Sequence, residues 1–219
     1  MKPAPNFDRL AGSYRWLEKL TFGDLLWTCR CAHLDAMRSA RTALILGDGD
    51  GRFTARLLEV NPLVEIDAID ASSAMLRALA GRAGAHRERV RTHLADARLF
   101  TPPLQHYDLV VTHFFLDCLT TQEITALATR LRQHLSSSSR WVISDFAVRD
   151  GWFGTIFARP LVTALYLAFA MLARTRVFRL PDRHSALATA GFVRQSTVSF
   201  ASGLLFSEIW AESDTEVRA

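Results

Sequence analysis

Three glycines fall within five positions, Gly47-Asp48-Gly49-Asp50-Gly51, after the apolar run Ala43-Leu44-Ile45-Leu46 and before a helical pattern from Arg52 to Val60. Glycine lets a chain turn sharply off a strand and lets a ligand lie against bare main chain. A dinucleotide fingerprint, G-x-G-x-x-G, would place its third glycine at position 52, where Arg52 stands, and this disfavours a bound pyrophosphate. About 20 residues further on, Asp70 ends a second strand-like run that starts at Glu65, and a carboxylate there can accept both hydroxyls of a ribose. Asp96 ends a third run, Val90 to Ala95. The carboxyl ends of neighbouring parallel strands line one crevice. One acid for a ribose and one for a base amino group would make an adenosine slot there, with Met75 placed either to pack on the ring or to fill the core.

A second group of residues could move a proton. His113 follows the fourth run, Asp108 to Thr112, and Asp145 ends the fifth, Trp141 to Ser144. An imidazole ordinarily titrates near pH 6.5 and can accept a proton at neutral pH. His113 is therefore the first candidate for a general base, the alternative being a rim histidine that only touches a ligand. Asp117 is a second candidate or the cap of the helix ahead; Asp145 is a third or only positions a substrate. The remaining histidines form no ligand grouping. Cys29, Cys31 and Cys118 lack both disulfide pairing and zinc-knuckle spacing, so reduced thiols and no metal are expected.

These residues need a frame. Short apolar runs alternating with helical patterns predict a parallel sheet with helices on both faces. Ser72 or Ser73 caps a helix that ends near Gly81, and Thr121 to Leu135 reads as another, broken by Ser136–Ser139. Asp182 to Ala190 is a short helix, and Phe192 to Phe200 with Leu204 to Trp210 an antiparallel hairpin. The expected whole is one α/β doubly wound, Rossmann-like domain. It comprises a helical lid (1–40), a core (41–150), a cap inserted after strand five (151–180), and a C-terminal helix and hairpin (181–219).

Leu44 to Gly51 resembles motif I of the class I S-adenosylmethionine (SAM)-dependent methyltransferases. Ile69-Asp70-Ala71-Ser72-Ser73-Ala74-Met75-Leu76 resembles their D-x-S-x-x-M-L segment, Ala95-Asp96-Ala97 their adenine motif, and Tyr107 to Val111 their fourth-strand signature. Phe7 to Tyr14 is similar to the lid of the ubiquinone/menaquinone C-methyltransferase branch. The resemblance implies seven strands, the last antiparallel, and SAM as cofactor. It implies that Gly47, Asp48, Gly49 and Gly51 flank the methionine portion, that Asp70 with Ala71 binds the ribose, that Asp96 and Ala97 hold the adenine, and that Tyr14 closes over it. The family usually has an acid two positions before the first glycine; here that position is Ile45, for which Asp48 or Asp50 would have to substitute.

The expected function is methyl transfer to a small, lipophilic or aromatic acceptor. Aromatic residues from Trp152 to Phe178 crowd the cap segment, where core packing is the competing explanation, and Arg159, Arg174, Arg176 and Arg179 flank it. Those arginines suit an acidic substrate group or peripheral contact with anionic lipid. The uninterrupted part, Leu161 to Ala173, is too short for a span, which needs about 20 apolar residues. The net charge of +4 comes from scattered arginines, not a basic stripe with interleaved aromatics, so no nucleic-acid partner is expected. Without an apolar signal core, a cytoplasmic location is expected. A non-catalytic SAM-binding module and, less well, a nicotinamide-dependent reductase are the alternatives.

Overall fold

The computed structural model describes residues 24–147 and 181–213. Seven strands make one sheet: β1 (Thr42–Leu46), β2 (Glu65–Asp70), β3 (Val90–Leu94), β4 (Tyr107–His113), β5 (Leu135–Phe146), β6 (Phe192–Phe200) and β7 (Leu205–Glu212). Their order is β3-β2-β1-β4-β5-β7-β6. The first five run parallel, and β7 is antiparallel to both β5 and β6. The described helices are α1 (Leu25–Cys31), α2 (Arg52–Val60), α3 (Ser73–Ala83), α4 (Thr121–Arg132) and α5 (Arg183–Thr189). The order reverses at β1, which pairs β2 on one side and β4 on the other. Open α/β sheets bind ligands at that switch point.

The central strands are apolar because both faces are covered. Leu44, Leu46 and Val110 join the core made with Ile124, Leu127 and Leu131 of α4 and Leu187 of α5. Ile45, Val111 and Val142 face the opposite way, onto Phe53, Leu57 and Leu58 of α2 and Leu79 of α3. Alternation along each strand thus feeds two cores on either side of one sheet.

The structure corrects several boundaries. The serine run does not break the chain before the fifth strand; it lies inside β5. The pairing with β4 shifts register between Tyr107 and Leu109, which draws Leu135 alongside Tyr107 and carries the serines into the strand. The preceding helix stops at Arg132, three residues early. Gly81 does not end α3, which continues to Ala83 before Gly84, at φ +53°, turns the chain. Asp117 does not cap α4; it sits in a 3-10 turn, Leu116–Cys118. Thr120 caps that helix through a capping box with Glu123.

Only part of the expected lid is described. There α1 and a 3-10 turn, Leu34–Met37, lie against β7, with Cys29 Sγ donating to the Phe206 carbonyl at 3.1 Å and His33 Nε2 3.1 Å from that of Ser207. Tyr14, the cap aromatics and the four cap arginines fall outside the described residues. No helix among the described residues is long and apolar enough to cross a membrane.

Candidate active site

The glycine loop leaves β1 at the switch point with Gly47, Gly49 and Gly51 at φ +69°, +63° and +79°. Side chains pay about 1–2 kcal/mol for such backbone, which is the local reason for glycine. The three positions differ in their surroundings. A methyl group at Gly47 would sit 2.5 Å from the ring of Phe115, and one at Gly51 would meet the main chain of Leu79 at 2.6 Å. Gly51 thus lets α2 and α3 approach. Beside Gly49 the nearest atom would be Met75 Sδ, at 4.0 Å, so this glycine opens a space that Met75 flanks.

Asp70 ends β2 beside that space. Its Oδ1 accepts the Ser72 N–H at 2.8 Å, and Ser72 caps α3, fixing the turn that presents Ala71 and Met75. Burial raises the Asp70 pKa to about 6, while the N–H groups of Ser72, Gly49 and Ala71 act in the opposite direction. The Ala95 N–H donates to the Asp70 carbonyl at 3.1 Å, so Asp96 follows immediately at the neighbouring strand end. Ala97 is buried in the α4 core.

Ile45 is buried in the α2–α3 core and contributes no acid to this loop. Asp50 turns outward, tied to Arg52 at 3.2 Å and Arg82 at 3.0 Å. Asp48 turns inward. Its Oδ2 accepts the N–H and hydroxyl of Thr54 at 2.8 and 2.6 Å, while its buried Oδ1 has no partner among the described residues. Of the two possible substitutes for the missing acid, Asp48 is the one whose free oxygen stays inside.

His113 closes β4 and is 4% exposed, and neither ring nitrogen has a hydrogen-bond partner among the described residues. Burial, with Arg30 and His33 nearby, holds its pKa well below 6.5. The imidazole is therefore neutral well below neutral pH, and the expectation of an ordinary imidazole titration is corrected. The charge of Arg30 also acts on Asp48. That α1 arginine carries no motif, and only the packing of α1 above the strand ends reveals its place.

Asp117 and Asp145 come together. Asp145 Oδ2 accepts the Asp117 N–H at 3.0 Å and Oδ1 the Phe146 N–H at 2.9 Å. Burial raises the Asp145 pKa far above the carboxylate range, the Asp117 charge adds to this, and Arg183 opposes it. Arg183 spans the site's outer end, donating to the Phe146 carbonyl at 3.4 Å with its guanidinium 3.5 Å from the centre of the Phe206 ring. Neither Arg183 nor Phe115 stands out in the sequence.

A SAM molecule suits these residues. Gly49 gives bare main chain, Asp70 offers a carboxylate at the end of the neighbouring strand, and Asp48 retains an unpartnered buried oxygen in the loop.

Residues 44–140 match a family model described as a methyltransferase domain. No curated protein matches the chain in sequence. Among solved structures, the mitomycin 7-O-methyltransferase superposes with a TM-score of 0.66 at 15% identity, over 95% of this chain and 61% of its own. An O-methyltransferase family 2 protein from Planctomyces limnophilus, in complex with apigenin, gives 0.66 at 19% identity, over 92% and 62%. A TehB-like SAM-dependent methyltransferase from Corynebacterium glutamicum gives 0.61 at 15% identity, over 94% and 99%. The chain thus spans about three fifths of the first two proteins and nearly all of the third. The match is to the superfamily's domain, and nothing in it selects the ubiquinone/menaquinone branch. Residues 44–140, which hold the glycine loop and the reversal of the seven-stranded sheet at β1, thus match a methyltransferase domain, and the fold around them is the one the solved SAM-dependent methyltransferases share.

Proposed function

We propose that this protein transfers the methyl group of SAM to a hydroxyl oxygen of a small, lipophilic, aromatic acceptor. The observation that carries the reading is the meeting of the glycine loop and Asp70, where the Gly49 N–H reaches the carboxylate and a Cβ at Gly49 would meet only Met75 Sδ, with Asp96 just beyond the next strand. The acceptor class is supported by two structural neighbours that are O-methyltransferases, one of them holding apigenin. It is also supported by the aromatic residues of the 151–180 segment, read here as the cap of a single domain.

When bound, SAM supplies a methyl group on a sulfonium centre that is already electrophilic. What the chain adds is placement: holding the acceptor oxygen in line at roughly 3 Å and keeping water away. Asp70 would accept the ribose hydroxyls and Asp96 the adenine amino group, and Met75 would pack against the ring. Asp48, with its unpartnered buried oxygen, would take the methionine ammonium. His113, neutral and with two unengaged nitrogens, takes the hydroxyl proton as the oxygen attacks. Burial and the neighbouring Asp117 favour the protonated form of Asp145, which makes it less suited to receive a proton, so the pair orients the acceptor.

Labelled SAM supplied with a panel of acceptors tests this. Label should pass to phenols, and more readily as their apolar area grows. Transfer only to small, highly charged acceptors would overturn the acceptor class, and SAM binding with no transfer to any member would favour the non-catalytic module.

A further inference from the structure

We infer that Arg98 positions Asp96 and makes the slot selective for a purine with an amino group at position 6. The inference rests on the adenosine slot proposed above.

Asp96 is not a bare strand-end carboxylate. The Arg98 main-chain N–H donates to Oδ1 at 2.9 Å, Nε lies 3.0 Å from both oxygens, and Nη2 donates to Oδ2 at 2.6 Å. A carboxylate has about four lone-pair positions. Three N–H groups of one residue make four contacts, two on each oxygen with the Nε proton shared between them, so at most one acceptor position is left. A single open acceptor position fits a single N–H, which an amino group offers and a 6-oxo group does not. An oxygen there would face the carboxylate with no proton between them. Recognition through a buried polar group discriminates strongly because the wrong partner leaves it unsatisfied.

Arg98 is itself held. Its Nη1 donates to Glu123 Oε1 at 3.0 Å, while Glu123 Oε2 accepts the N–H and hydroxyl of Thr120 in the capping box of α4. From two turns further along α4, Arg130 donates to the carbonyls of Ala97 and Phe100, both at 3.1 Å. The loop carrying Asp96 is thus fastened to one helix at two points, through the side chains of Glu123 and Arg130. Arg98 also keeps the Asp96 carboxyl below its usual pKa. At a pH near 5, where Asp70 takes up a proton, Asp96 remains an acceptor.

The test is calorimetric titration of the full chain with S-adenosylhomocysteine and with its 6-oxo counterpart, S-inosylhomocysteine. The wild type should prefer the amino compound by at least tenfold. Arg98→Ala should weaken that compound roughly tenfold and bring the two affinities together, whereas Arg98→Lys, which keeps a cation beside Asp96, should retain part of the preference. Glu123→Gln should act in the same direction as Arg98→Ala, but less. A merely structural role for Arg98 would weaken both compounds equally and leave their ratio unchanged, and that overturns the inference. So would Arg98→Ala binding the amino compound as tightly as the wild type. A wild type that binds neither compound overturns the cofactor reading, and this inference with it.

Discussion

The rings of His113 and Phe53 meet edge-on with centroids 4.4 Å apart, so the last residue of β4 rests on the first turn of the helix that follows the glycine loop. The contact places the base candidate beside the cofactor loop and out of water. His113→Ala should lower turnover at saturating SAM and acceptor by about 10²–10⁴ with little change in SAM affinity. Burial keeps the ring unprotonated, so turnover should stay flat as pH falls through 6.5 and decline only below it. A decline centred at 6.5 or higher, or wild-type turnover in the variant, would remove His113 from that role.

Asp70 should trade stability for binding. Its folded pKa, about 6, stands above the ordinary 3.8 because of burial. The folded state therefore binds the extra proton, and stability falls as pH rises from about 4 through 6, the loss being complete above 6. Asp70→Asn should raise stability at neutral pH by about 1–3 kcal/mol and weaken SAM at least tenfold. Chemical denaturation at pH 7 and pH 4.5 checks this, since the gain should shrink at the lower pH. In the wild type, SAM binding should weaken as pH drops below 6, because a protonated Asp70 cannot accept both ribose hydroxyls.

Two glycines of the same motif should separate packing from binding. Gly51→Ala forces a methyl group onto Leu79 at a left-handed position and should cost about 2–4 kcal/mol of stability. Gly49→Ala meets only Met75 Sδ, so its stability cost should stay near 1 kcal/mol while SAM affinity falls. Thermal melts with and without SAM distinguish them, and equal destabilisation of the two would contradict the division.

Much of this was legible in the chain itself. The helix from Arg52 to Val60 has the bounds its apolar spacing predicts. Asp70 ends β2 and Asp96 lies two residues past β3, as the apolar runs that precede them in the sequence indicate. What was not legible depended on tertiary pairing. Nothing local puts Ser136–Ser139 in a strand; the β4 register shift does. His113 reads as an ordinary imidazole until α1 and α2 bury it. Asp67 reads as one more strand residue, yet it is fully buried and takes hydrogen bonds from Arg91 and His93 of β3 and Tyr107 of β4, which only the fold brings together.

The central claim, a SAM site between Gly49 and Asp70, is tested most directly by titrating the wild-type chain and Asp70→Asn with SAM in parallel, with NADH as control. The expected result is one SAM per wild-type chain, binding at least tenfold weaker in the variant, and no heat from NADH. Equal SAM affinity in both proteins, or binding of NADH in place of SAM, would contradict it.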